Sequence, residues 1–236
     1  MRSNCDMKNA ENAVARVHAA YHYVFLTLPQ YSMIALSSAV EALRMANRIS
    51  QQNVYTWTLA SLGGQSVPAS NGLTLSPTVA LDDIGQADIV FVCGGVAIEA
   101  ACTPPVVAAL RKIGQRNVAL GSLCTGGYAL AKAGLLDKYK AVVHWENMTA
   151  LEEKFPKVIF SRQLFAIDRD RYTCTGGVAP LDLMLHIIKG HLGKNIAPMI
   201  SDQFILERIR NDQDRQHVPL MSRVGLFHEN LIEAAA

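Results

Sequence analysis

Along most of the chain, compact apolar runs alternate with stretches whose apolar residues recur every three or four positions. His22–Leu28 is aromatic and β-branched, stops at Pro29, and reads as a first strand. Behind Ser32 as N-cap, Leu36, Ala39, Val40, Leu43 and Ala46 predict an amphipathic helix to about Arg48. Glu41 and Arg44 lie three apart on it and read as a surface pair. Val54–Ser61 is a second strand. Val67–Ala69 and Leu73–Leu75 flank Ser70-Asn71-Gly72, which predicts a hairpin. Asp88–Val92 is continuously apolar after its first residue, as in a central parallel strand covered on both faces. Thr103-Pro104 opens a helix with Val106, Val107, Leu110 and Ile113 on one stripe. Val118–Leu120 is a short buried strand that feeds a helix from about Gly126. Ala141–Val143 is another strand, followed by a helix to about Lys154 that Phe155-Pro156 stops. Val158–Phe160, Leu164–Ile167 and Arg171–Cys174 read as short strands with a turn at Asp168–Asp170. Helices are expected over Val178–Lys189 and about Asn195–Arg210.

Strands alternating with helices define an α/β sandwich around a mostly parallel sheet, with helices on both faces. Ligands of such sheets sit outside the carboxyl ends of the strands. Three glycine- or cysteine-bearing segments fall at such ends: Gly94–Gly95, Cys124, and Gly176–Gly177. Cys124 stands between the Val118–Leu120 strand and the next helix, with small residues around it. Such an elbow holds one side chain out over the sheet, and a helix starting at the sulfur favours a thiolate or an anion there. A buried cysteine in an ordinary strand–helix turn is the plainer alternative. The Gly94–Gly95 pair allows backbone N–H groups to approach a ligand, or simply makes a tight turn.

Composition narrows the classes. With 236 residues, 50% hydrophobic and 18% charged, the chain can build one large core. A net charge of +2 does not announce nucleic acid. The five cysteines have no paired spacing, which argues against a disulfide framework or zinc knuckle and for reduced thiols in a cytoplasm. No apolar run is long enough to span a membrane. Residues 1–20 look like a polar leader without a signal core, 21–211 like the folded domain, and 212–236 like a polar linker with the start of a helical pattern at Leu226–Ala236. Neither a dinucleotide nor a P-loop glycine motif is present, and no cofactor is expected. His186 and His191 are five apart on one helix, a poor metal pair, and His144-x-Glu146 is more simply a structural group than a metal ligand set. If Cys124 is a nucleophile it needs a base; His144, at the end of the next strand and oriented by Glu146, is the candidate for a Cys–His–Glu hydrolase or amidotransferase.

The order VCGG, GSLCTGGYALAKAGLL, AVVHWE and YTCTGGVAPLDLML resembles the class I glutamine amidotransferase-like domain of the PfpI superfamily. With SMIALSSAVEALRMANR, ASNG, HWE and FPKV it is similar, over about Tyr21–Leu220, to the amino-terminal sensor domain of AraC-type transcription regulators of the GlxA kind. The resemblance implies a flavodoxin-like three-layer sandwich and a pocket at Cys124, with backbone donors from Gly94, Gly95 and Thr125. Enzymes of the superfamily carry an acid six residues before a glutamate that Glu41 matches, and many proteases among them a histidine after the cysteine; here those positions are Ala35 and Thr125. Both departures favour binding over catalysis. Regulators of this kind read DNA through helix-turn-helix motifs, whose start PLMSRVGLFHENLIEAAA resembles, so the 236-residue chain by itself is not expected to bind an operator. Some relatives sense amino acids and amines, including quaternary ones. A cationic effector wants an aromatic wall, for which Trp145 beside His144 is the candidate, while Trp57 reads as core. A homodimer is the implied assembly.

Overall fold

Side chains along β1 (Tyr21–Thr27) alternate between two cores. Tyr23 and Phe25 enter one; Val24 and Leu26 enter the other. A strand needs this pattern only when helices cover both faces of its sheet. The computed structural model describes residues 20–76 and 78–216. The expected leader, apart from Ala20, and the helical pattern at Leu226–Ala236 lie outside the described residues.

In chain order β1 is followed by α1 (Met33–Ser50), β2 (Tyr55–Ser61), β3 (Val79–Ala80), β4 (Ile89–Cys93), α2 (Ile98–Ala101), α3 (Pro104–Gly114), β5 (Ala119–Leu123) and α4 (Gly127–Lys132). Then come β6 (Lys140–Ala141), α5 (Met148–Lys154), β7 (Ile159–Phe160), β8 (Phe165–Asp168), β9 (Arg171–Cys174), α6 (Ala179–Leu192) and α7 (Ile196–Gln203). The main sheet has seven strands in the order β3-β2-β1-β4-β5-β9-β8, all pairs parallel except β8 with β9. This is the α/β architecture that the sequence pattern predicts, in the flavodoxin-like form that the resemblance implies.

On one face lie α1, α6 and α7. Four alanines of α1, Ala35, Ala39, Ala42 and Ala46, are buried, and small side chains let the helix lie close to its neighbours. α6 is buried over most of its length, because α1, α7 and the sheet enclose it. On the other face, α3, α4 and α5 pack Leu110, Ile113, Leu130 and Leu151 against Val90, Val92 and Leu120. Glu41 and Arg44 pair on the outer side of α1 at 2.6 Å, half-exposed as expected of a surface pair.

Four expectations need correction. The turn at Asn71-Gly72 forms, with Ala69 N–H donating to the Leu73 carbonyl at 2.8 Å, but its flanks do not pair as a hairpin. The loop after β1 takes their backbone groups instead: Gln30 N–H donates to Pro68 and Ser70 N–H to Tyr31, both at 2.9 Å. Residues 141–143 do not join the main sheet; β6 pairs with β7, and Val142 N–H leans on the Thr173 hydroxyl at 2.8 Å. The last helix stops at Gln203 rather than Arg210, since Ile205 takes a left-handed φ of 54°. Finally, the linker expected from residue 212 does not begin there. Leu164 N–H donates to the Asp214 carbonyl at 3.0 Å, and Gln216 is buried against the domain.

Candidate functional site

The elbow is built by one strained residue and several glycines. Cys124, directly after β5, has φ 58°, a left-handed conformation that costs a non-glycine residue roughly 1–2 kcal/mol. A 3-10 turn at Cys124–Gly126 then leads into α4. A Cβ on Gly126 would run into the Val92 carbonyl, one on Gly94 into the Gly126 and Thr125 backbone, and one on Gly95 into the Gln30 carbonyl. The chain therefore requires glycine at all three positions for close backbone approach. The tight-turn reading of Gly94–Gly95 is thus satisfied by packing alone.

Hydrogen bonds fix the same corner. Thr125 Oγ1 donates to the Gly95 carbonyl at 2.7 Å, and Gly94 N–H donates to the Leu123 carbonyl at 3.2 Å. The Gly94 donor expected to face a ligand is therefore already committed. Cys124 N–H reaches the Thr175 carbonyl at 3.4 Å, tying the elbow to the end of β9.

Gly176 is where the two candidate side chains meet. A methyl there would stand 3.0 Å from both Cys124 Sγ and His144 Cδ2, so the thiol and the imidazole converge on the Gly176 backbone. His144 Nδ1 lies 3.6 Å from the exposed Glu146 carboxylate, and the Trp145 ring is tilted beside His144 with centroids 5.6 Å apart. The expected residues Cys124, His144 and Trp145 thus meet at the carboxyl end of the sheet, with Gly94, Gly95 and Thr125 beneath the elbow.

Electrostatics oppose a reactive pair. Burial pushes the Cys124 thiol up to about 11; a hydrogen bond from the Thr125 backbone pulls the other way, and Glu146 adds to the rise. Burial also lowers the His144 imidazole below its ordinary range, against the pull of Glu146. At neutral pH both groups are uncharged, so the helix start does not hold a thiolate. The position of the superfamily acid is the buried Ala35, part of the core. The two histidines of α6 diverge: His186 packs near Phe165, while His191 stacks on Tyr21. Among the described residues no three His, Cys, Asp or Glu side chains group as a metal site, and Cys93, Cys102, Cys124 and Cys174 are free thiols. No helix among them is long and apolar enough to cross a membrane.

Sequence reasoning reached the elbow and its histidine because each follows a strand. It missed Val143 and Gln216, which meet through a 3.0 Å hydrogen bond across 73 positions and carry no local signal.

A domain with this sheet and a left-handed cysteine after β5 is of the DJ-1/PfpI kind, and residues 23–190 match that family. The chain belongs to the DJ-1/PfpI family. Its relatives include helix-turn-helix regulators: it is 46% identical over 212 residues to the HTH-type transcriptional regulator GbdR of Pseudomonas aeruginosa, covering 90% of this chain and 58% of GbdR. It is 32% identical over 209 residues to GlxA of Rhizobium meliloti, covering 88% of this chain and 64% of GlxA. The chain thus spans well under two thirds of the length of GbdR. The structure of an AraC family transcriptional regulator from Pseudomonas putida superposes with a TM-score of 0.70 at 28% identity, over 78% of this chain and 99% of that one.

Proposed function

We propose that this chain is the effector-sensing domain of an AraC-type transcription regulator and that it is not an enzyme. The observation that carries the reading is the meeting point at Gly176, where a buried neutral thiol and a neutral imidazole converge and the superfamily's acid is replaced by Ala35. Such a site has no charged group to activate its sulfur. The effector is a small metabolite of the amino acid or amine class. The half-buried Trp145 offers a face to a cationic group, and the Glu146 carboxylate offers a counter-charge. Cys124, His144 and Trp145 face the effector, with Thr125, Gly94 and Gly95 holding the elbow beneath them. DNA is reached in the cytoplasm through a helix-turn-helix region of the kind for which GbdR and GlxA are named. The regulator works as a homodimer; the exposed apolar side chains of Ile34, Val96 and Val178 support an interface.

Melting the purified chain against amino acids, betaines and polyamines, with Cys124→Ala alongside, tests the reading. A ligand at about a hundred times its dissociation constant adds about 2.7 kcal/mol, which raises the midpoint by several degrees. One compound is expected to give a saturable shift without being turned over. The alternative, a PfpI-like cysteine hydrolase or lyase using Cys124 and His144, is favoured by their convergence and by Glu146 beside Nδ1. It requires Cys124 to be alkylated quickly at neutral pH. The sensor reading expects slow reaction at pH 7 that accelerates toward pH 11. Turnover of any panel compound that Cys124→Ala abolishes would replace the sensor reading with the enzyme.

A further inference from the structure

After α7 the chain folds back over the domain as a strap and is fastened at two anchors. The first is Asp182 of α6, almost fully buried: its carboxylate accepts the Arg210 backbone N–H at 2.9 Å and the Arg210 guanidinium at 3.0 and 2.6 Å. Between the anchors, Arg208 pairs with Asp214 at 2.8 Å, and Leu164 N–H donates to the Asp214 carbonyl. The second anchor is Gln216. Its backbone N–H donates to the Arg162 carbonyl at 3.1 Å, and its side-chain Nε2 donates to the Val143 carbonyl at 3.0 Å.

Val143 is the residue before His144, and it is fully buried. It sits against the start of α4, where a Cβ on Gly127 would be 2.7 Å from its Cγ1. The peptide that Gln216 holds is therefore the one from which His144 and Trp145 project, and it rests on the helix that follows Cys124. The side-chain oxygen of Gln216 is buried with no hydrogen-bond partner among the described residues. An unpaired buried acceptor works against the bond that Nε2 makes, whereas the Asp182 carboxylate is paired through both oxygens.

We propose that Gln216 is a positioning residue that couples the Cys124–His144 contact at Gly176 to the strap: a group placed between the sulfur and the imidazole displaces His144 and the Val143 peptide, and this releases residues 211–216 while the Asp182 anchor holds. The proposal rests on the sensor reading, since it makes the strap the element through which that site signals. Coupling of this kind must be reciprocal.

The test uses the whole chain and needs no effector. Gly176→Ala places a methyl 3.0 Å from both Cys124 Sγ and His144 Cδ2 and serves as the wedge. Amide hydrogen exchange is expected to quicken at least tenfold at Gln216 and Leu164 and to stay unchanged at Arg210. In the reverse direction, Gln216→Leu is expected to change the alkylation rate of Cys124 by iodoacetamide at least threefold. Asp182→Asn, which loosens only the first anchor, is expected to leave that rate alone. Unchanged exchange at Gln216 in Gly176→Ala overturns the coupling, as does an unchanged alkylation rate in Gln216→Leu; the first arm retains Gln216, so it stands even if the second variant does not fold. A ligand panel that yields no shift would remove the sensor reading and leave this result untouched.

Discussion

The two ends of the one sheet are built by opposite means. At the carboxyl ends of β4, β5 and β9 the chain is held together by missing side chains: Gly94, Gly95 and Gly126 let backbone lie on backbone around a left-handed Cys124, and Gly176 leaves room for the Cys124 and His144 side chains to meet. At the amino ends of β1 and β2 it is held together by large rings. His191 lies parallel to Tyr21 with centroids 4.0 Å apart, and its Nδ1 is 3.0 Å from the Tyr55 hydroxyl. Asn47 pins the start of β2 by pairing with both backbone groups of Tyr55, at 2.7 and 2.9 Å. The first end holds a strained residue that its close-packed neighbours keep in place, and the second holds none among its rings.

This contrast ranks the effects of substitution. The largest falls on Gly126→Ala, whose Cβ meets the Val92 carbonyl with no flexible side chain to yield. It is expected to cost about 3 kcal/mol or more, lowering the calorimetric midpoint by about 6 °C or more. A midpoint within about 1 °C of the parent would show that the glycine end is not close-packed. Tyr55→Phe comes next. It keeps the ring but takes the partner from His191, and a loss of about 1 kcal/mol is expected in urea unfolding.

A slope with pH should separate the ends from the surface. Burial lowers the imidazoles of His144 and, against the pull of Asp88, His191. The unfolded chain, with ordinary histidines near 6.5, takes up protons first as pH falls. Stability should therefore be full above that value and decline below it. Replacing His191 by Gln should flatten the decline in midpoints measured from pH 7.5 to 5.5, and an unaltered slope would exclude it as a contributor. The smallest effect is assigned to the half-exposed Glu41–Arg44 pair, which lies at neither end. Glu41→Gln is expected to change stability by less than about 0.5 kcal/mol, and a larger loss would mean that the outer side of α1 matters to the fold.

Most of the frame was legible because it is written in local periodicity. β1, α1, β4 and the elbow strand each announce themselves within a dozen residues, since burial on two faces demands unbroken apolar runs and burial on one demands helical spacing. What misled was also local. Asn71-Gly72 makes its turn, but the loop after β1 competes for the same backbone groups and wins. The apolar spacing after Asn195 continues past Gln203, while Arg210 is drawn away to a buried carboxylate 28 positions earlier. The site divides the same way. Cys124 and His144 could be placed at strand ends from sequence, but that the sulfur and the imidazole meet at Gly176 depends on how β9 lies beside β5.

The sequence by itself determined the two-faced parallel sheet, the glycine-lined elbow and the absence of an acid at Ala35, because patterning and residue identity act over a few bonds. Only the tertiary structure decided that the Cys124 thiol is too buried to ionise at neutral pH, that Gly94 has spent its donor, and that Gln216 folds back to hold the peptide beneath His144. Desolvation and hydrogen-bond partnership are properties of what surrounds a group in space, and its neighbours along the chain do not fix them.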